Sequence, residues 1–477
     1  MIVNKPYVKT LNFLGEYYLF DVNMNSIVQI SKEVFDFLNS SLDESNICDK
    51  TKYELEQLKI RGMLCGNPII SIEHPATKYI SSYLNHCSSL TLQTTQLCNF
   101  KCRYCSYASF TDMNRSHSNE QMSIETAKAS IDFLYNHSLE EDNINICFYG
   151  GEPLLNYKLL QESVEYAERM FFGRNINYLV TTNGSILNDD IIELFNKYNF
   201  FVTISLDGPE MFHNKNRKFS MDGKDTYSKV YSNILQLKNK IVDYKNKLQI
   251  NAVIDPEEDL QSYYSYFFNN VEINDISVKF NLIDSSKLKY SILPDEKFTS
   301  TDKLITIKKY IRILLGDKGD DLVSIKDNIF NIVNQFETTG CLREQENPSG
   351  SCIPGYVKLF IMQNGDILPC EKVSENSQCM KIGNVYSGFD EEKVKEFINI
   401  GKLTANQCKN CFAIRHCSIC PREIDNMNYF DTDYKIYQCR FVQKNFLETI
   451  KKYIIFLKCG MLDMVRLDSE STLGDEA

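Results

Sequence analysis

From residue 88 onward, short apolar runs alternate with stretches whose apolar residues return every three or four positions. Leu90–Thr94, Ile144–Tyr149, Tyr178–Thr182, Val202–Leu206, Leu248–Ile254 and Ser277–Ile283 read as six strands, and Ile124, Ala127, Ile131 and Leu134 mark one face of an intervening helix. This alternation predicts an α/β fold with a parallel sheet, whose chemistry belongs in the loops at the carboxyl ends of the strands. Residues 1–84 read as a small separate module. Tyr17–Val22 and Ser26–Ile30 form a hairpin around Asn23-Met24-Asn25, and a helix follows with Val34, Phe35 and Leu38 on one face. Thr51-Lys52-Tyr53-Glu54 has the form of a capping box opening a helix through Leu55 and Leu58. Residues 336–450 break the pattern: scattered Gly and Pro, dense cysteines and few long helices suggest a domain organised around metal. Phe446–Leu457 reads as a helix and Asp468–Ala477 as a disordered polar tail. The divisions are therefore 1–84, 85–335, 336–450 and 451–477.

Composition narrows the class. The 477 residues, 43% of them apolar, allow two or three domains with a substantial core. No run approaches the ~20 apolar residues that span a bilayer. A net charge of −11 without a dense Lys/Arg block gives nucleic acid no electrostatic footprint, and a basic peptide is a more compatible partner. The amino terminus lacks a basic start followed by a long apolar region, which points to the reducing cytoplasm. There, 17 cysteines, an odd number with several in tight arrays, suit metal ligation better than a disulfide framework.

The cysteines carry the chemistry. Cys98, Cys102 and Cys105 follow the first strand with gaps of three and two residues. Three thiolates on one loop can supply three of the four iron ligands of an iron–sulfur cube and leave the last iron open; a zinc knuckle is the alternative. Gly150-Gly151-Glu152-Pro153 ends the second strand, where two glycines admit a close-lying ligand and the carboxylate offers an acceptor for an ammonium group. Asn183-Gly184 closes the third strand and Ser205-Leu206-Asp207-Gly208 the fourth. A second field runs Cys352, Gly365-x4-Cys370, then Cys408-x2-Cys411-x5-Cys417-x2-Cys420 and Cys439, with Cys341 ahead of it; a zinc ribbon is the alternative. Glu371 follows Cys370, so a rigidly held ligand would position its carboxylate. Cys48, Cys65, Cys87, Cys147 and Cys459 read as buried small apolar residues, and Cys379 is open. His117, in the polar stretch Asn114–Ser118, reads as a loop residue.

The Cys98–Cys105 triplet with Tyr104 before its third cysteine, together with Gly150-Gly151-Glu152 at the next strand end, resembles the signature of the radical S-adenosylmethionine (SAM) family. The later cysteine field resembles the SPASM domain, departing from it by leaving two residues rather than three between Cys417 and Cys420. The hairpin and helices resemble the winged-helix leader-recognition element of peptide-modifying enzymes. These resemblances imply a partial (β/α)6 barrel between a winged-helix-like module and a cysteine-rich SPASM domain. They imply three 4Fe-4S clusters, one catalytic on Cys98, Cys102 and Cys105 and two auxiliary. Cys352, Cys370 and Cys420 would hold one auxiliary cluster, its fourth ligand being Cys341 or an open position for substrate sulfur, and Cys408, Cys411, Cys417 and Cys439 the other. SAM would lie against Tyr104, Gly150, Gly151, Glu152, Asn183, Ser205 and Arg217, and Glu371 takes the place of a catalytic Asp in sulfatase-maturing relatives. The implied activity is thioether cross-linking of a ribosomally made precursor peptide through a 5'-deoxyadenosyl radical, with a flavodoxin or ferredoxin-type electron donor. Formylglycine formation and carbon–carbon cross-linking are the alternatives, and an iron–sulfur electron carrier without SAM turnover is the non-enzymatic one.

Overall fold

A computed structural model describes residues 5–40, 47–105, 117–255, 258–283, 323–336, 340–348, 350 and 352–458. Arg115, Cys459 and the acidic tail lie outside the described residues.

The amino-terminal sheet has three antiparallel strands, β1 (Val8–Phe13), β2 (Glu16–Asp21) and β3 (Ser26–Ile30), in that order. The hairpin read from the sequence is β2–β3, paired from Tyr17↔Ile30 to Asp21↔Ser26. One face of this sheet closes over α1 (Lys32–Asn39) and α2 (Asp49–Ile60), burying Leu19, Val34, Leu55 and Leu58. The expected capping box is absent. The helix starts at Asp49, which puts Thr51 inside its first turn, and the Glu54 carboxylate instead accepts the Ser31 N–H at 2.8 Å, tying the start of α1 to α2. Apolar side chains already fill this core, so Cys48 and Cys65 are exposed, contrary to expectation.

All six expected strands form and are parallel: β4 (Cys87–Thr95), β5 (Asn143–Gly150), β6 (Asn175–Thr182), β7 (Phe201–Ser205), β8 (Leu248–Ile254) and β9 (Ser277–Leu282). They lie in the order β9-β8-β7-β6-β5-β4. Between them run α3 (Ile124–Asn136), α4 (Tyr157–Met170), α5 (Asp189–Lys197), α6 (Tyr227–Lys240) and α7 (Leu260–Asn269). Alternate strand residues, among them Ile144, Ile146, Phe148, Val180 and Ile204, join Ala127, Ile131, Leu160 and Ile234 of the helices in one core. The opposite face is polar: Asn177 donates to Asn145 at 3.2 Å across β5 and β6, and Asn281 to Asn251 at 2.6 Å across β8 and β9.

The sheet does not stop at β4. β10 (Val357–Ile361) pairs parallel with it, and β11 (Asp366–Leu368), β12 (Gly383–Asn384) and β13 (Gly388–Phe389) continue antiparallel to make ten strands among the described residues. The cysteine-rich region is thus joined edge-on to the parallel sheet. It contains α9 (Glu391–Ile398) and the 27-residue α10 (Thr432–Lys458), which begins before the expected Phe446 and runs through the expected boundary at residue 450. The hairpin module is not separate in its packing. Tyr18, Phe20 and Val22 share a core with Ile332 and Phe336 of the segment following and including α8 (Val323–Asn334), and with Phe446, Ile450 and Ile454 of α10.

Candidate functional site

The loop after β4 is held from several sides. A short strand, Phe100–Cys102, pairs antiparallel with Arg217–Phe219, so Cys102 lies opposite Arg217. Asp207, fully buried just beyond β7, receives Arg217 Nε at 2.9 Å and Nη2 at 3.1 Å, the Val253 N–H at 3.1 Å and the Tyr104 hydroxyl. The guanidinium also lies 5.3 Å from the Tyr104 ring centroid, and its Nη1 is 3.8 Å from Cys102 Sγ. His213 completes the clamp: its Nδ1 accepts the Asp207 N–H at 3.2 Å and its Nε2 is 3.0 Å from Thr226 Oγ1. Burial pushes this imidazole down to about 4, so it is neutral with its proton on Nε2.

Cys98 is partly covered; burial pushes its thiol up to about 12, while the Phe100 N–H at 3.4 Å and Asn183 Nδ2 at 3.8 Å donate toward its sulfur. Burial raises Cys102 as well, against the pull of Arg217, and both thiols feel the charge of Cys105. Cys105 Sγ lies 4.0 Å from His117 Nε2, whose other ring nitrogen is 3.1 Å from the Gln96 carbonyl. The triplet is therefore brought together, with N–H donors aimed at two of its sulfurs. Among the described residues no three His, Cys, Asp or Glu side chains are spaced for a single metal ion. A four-iron cube, with each thiolate on a different iron, does not require that spacing.

The glycines after β5 are dictated by backbone contact. Gly151 N–H donates to Thr95 O at 2.8 Å and Glu152 N–H to Leu97 O at 2.9 Å, which presses this turn against the strand leading into the cysteine loop. A Cβ would lie 2.3 Å from Thr95 O at Gly150, where φ is +140°, and 2.1 Å from Leu97 O at Gly151. The Glu152 carboxylate is fully buried and accepts from Thr182 Oγ1 and the Asn183 N–H, both at 2.7 Å, and from the Leu154 N–H at 3.1 Å. Burial outweighs these donors and raises its pKa to about 7. Asn183 in turn donates to Asn99 Oδ1 at 2.8 Å, linking the end of β6 to the cysteine loop. Ser205, 8% exposed, ends β7 opposite Asn251.

The later cysteines fall into two groups. Burial raises Cys352, followed by the charges of Cys420 and Cys370, and Cys420 also feels Cys370. Cys408, Cys411, Cys417 and Cys439 line one cavity of about 210 Å³ and are coupled by charge. Cys341 is exposed, its sulfur 3.8 Å from Met24 Sδ on the hairpin module. Because β11 runs back against β10, Cys370 and Glu371 lie toward the opposite end of the sheet from Cys98. Glu371 pairs with Lys358 at 3.0 Å, and Cys147, level with Thr91 of β4, feels both charges. That is four residues, ~13 Å, below the end of β4. Burial works to raise the Glu371 carboxyl, but Lys358 holds it below the ordinary value.

Sequence reasoning gave Asp207 no role of its own, although its place just past a strand end was the available signal. Glu375, 4% exposed, accepts from Gln93 and, at 2.9 Å, from Gln96, connecting the cysteine-rich region to the residues just ahead of Cys98. No motif marks it.

Residues 92–265 match the radical SAM superfamily. The chain is 25% identical over 338 residues to a cysteine-type anaerobic sulfatase-maturating enzyme of Clostridium novyi, covering 68% of this chain and 84% of that one. It is 22% identical over 450 residues to the radical SAM cyclopropyl synthase TigE of Paramaledivibacter caminithermalis, covering 90% and 86%. In fold it resembles native anSMEcpe with bound AdoMet, with a TM-score of 0.54 and 23% identity over 76% of this chain and 99% of that one.

Proposed function

Since the chain carries a radical SAM domain over residues 92–265 and is an enzyme of that superfamily, we propose that it is a maturase joining a cysteine sulfur to a carbon of a ribosomally made precursor peptide. Cys98, Cys102 and Cys105 would hold the catalytic cluster, with SAM against Gly150–Glu152, Asn183 and Ser205; when bound, these groups supply the radical that removes hydrogen from an unactivated carbon. The chain's own part is orientation. Asp207 and Arg217 fix Tyr104 and Cys102, Asn183 fixes Asn99, and Gly150–Glu152 dock against the strand feeding the loop.

The observation that carries the thioether reading is the placement of Cys341. Its sulfur is turned to Met24, so Cys352, Cys370 and Cys420 would hold the first auxiliary cluster with one position left for a substrate thiolate. The polar strand face between this group and the Cys98 loop suits a peptide lying across both. A leader segment would add a strand to an edge of the hairpin sheet, where β1 and β3 are the outer strands. In support of a substrate other than a sulfatase, the match to the cyclopropyl synthase takes in 90% of the chain, against 68% and 71% for two cysteine-type sulfatase-maturating relatives. The second reading, formylglycine formation, is favoured by those relatives' names and by Glu371, which Lys358 keeps ionised and able to accept a proton.

The test is anaerobic turnover of the reconstituted full chain with the candidate precursor, followed by mass spectrometry and thiol alkylation. A thioether removes two hydrogens and one alkylatable thiol. Loss of sulfur from the peptide would instead support formylglycine, and loss of hydrogens with every thiol intact a carbon–carbon link.

A further inference from the structure

Lys435 is only 2% exposed, an unusual place for an amino group. It lies on the face of α10 that also carries Cys439 and Gln443, at intervals of four residues. Its polar contacts among the described residues are the Thr404 hydroxyl and Cys408 Sγ, the latter at 3.7 Å. Thr404 Oγ1 is itself 3.3 Å from that sulfur, and Gln443 Nε2 is 3.4 Å from Cys411 Sγ. Burial raises the thiols of Cys411, Cys417 and Cys439, and the positive charge of Lys435 works against it at all three.

Among the described residues the other auxiliary group has no buried isolated cation of this kind, Lys372 beside Cys370 being exposed. Lys358 is neutralised by Glu371 at 3.0 Å, and Cys420 feels Arg422 and Glu423 with opposite sign. Reduction potentials of iron–sulfur centres follow net charge and hydrogen bonds to the sulfurs, and a fixed cation favours the reduced, more negative form.

Resting on the two-group reading above, we propose that Lys435 is a tuning residue that raises the reduction potential of the centre held by Cys408, Cys411, Cys417 and Cys439, making it the easier of the two auxiliary centres to reduce. The buried charge needs the thiolates as its counter-ions, and they gain from it a preference for the added electron.

Iron content and EPR-monitored redox titration of the reconstituted full chain, beside Lys435→Met and Lys435→Arg, test this. In Lys435→Met one auxiliary signal is expected to become about tenfold harder to reduce at fixed potential, ~59 mV for a one-electron couple. The catalytic signal should stay in place, and Lys435→Arg should restore most of the shift. Full iron content with an unmoved potential would overturn the proposal. So would loss of about four irons from Lys435→Met, which would make the lysine a structural element of the site. Zinc in place of iron in the wild-type protein would instead refute the two-group reading itself.

Discussion

At the scale of single residues, two buried groups near the cysteine loop titrate in opposite senses. Glu152 has a folded pKa raised from 4.5 to about 7, so the native state binds the extra proton and stability falls as pH rises through that window. His213, lowered from 6.5 to about 4, binds its proton more readily when unfolded, so stability falls as pH drops from 6.5 toward 4. The two slopes oppose each other where they overlap. Glu152→Gln removes one of them, and its Tm is expected to fall more steeply than that of the wild type between pH 6.5 and 4.5; parallel profiles would refute the assignment. The same variant sets an amide NH2 or a lone acceptor where two N–H groups and a hydroxyl now donate, at a cost of ~1–3 kcal/mol near pH 7. Cys98→Ala, Cys102→Ala and Cys105→Ala are each expected to abolish formation of 5'-deoxyadenosine, measured by chromatography under reducing anaerobic conditions. These cysteines were legible because ligand spacing is local. Asp207 was not, because its partners come from three distant segments, at Tyr104, Arg217 and Val253.

At the scale of elements, the six parallel strands could be read because each is a compact apolar run. The four added to the β4 edge are short and bounded by turns, so their pairing depends on a partner the local pattern does not contain. β1 was missed as well, since Val8–Phe13 mixes polar and apolar residues in a strand with one buried position, Leu11. The turn after β5 is where an element's position depends on a missing side chain. Gly151→Ala would force its Cβ to within 2.1 Å of a backbone carbonyl that has no rotamer to yield, so the turn must separate from the β4 end. The expected result is a loss of ~1–3 kcal/mol and a fall in iron retained by the Cys98 loop, read by denaturation and metal analysis. The module interface depends on Phe446, which stacks on His416 with centroids 4.0 Å apart and meets Phe20 edge-on at 5.3 Å. Phe446→Ala is expected to cost ~3–5 kcal/mol and to expose the hairpin to limited proteolysis before the parallel sheet.

At the scale of the whole molecule, the hairpin module and the cysteine-rich region support one another. Tyr7 donates to Lys409 O at 3.0 Å and Cys411 O at 2.8 Å, and Arg415 Nη2 reaches back to Asn23 O at 3.0 Å. Removing residues 1–84 would therefore bare the apolar face of α10 and take Ala76, Ile80 and Leu84 out of the main core. That truncation is expected to be insoluble. The proposed leader binding is better measured on the full chain, where it predicts slowed amide exchange in β1 or β3 when the leader is added. The ten-stranded sheet has one more consequence. The strand entering the Cys98 loop and the strand pair leading to Cys370 are bonded neighbours, not halves joined by a linker. The span between the two sulfur-rich ends is then set by the sheet's own hydrogen bonds, as fixed as a ruler. On the proposed maturase reading, timing would then fall to the peptide: the length of chain between a docked leader and the reacting residue would decide which carbon comes within reach.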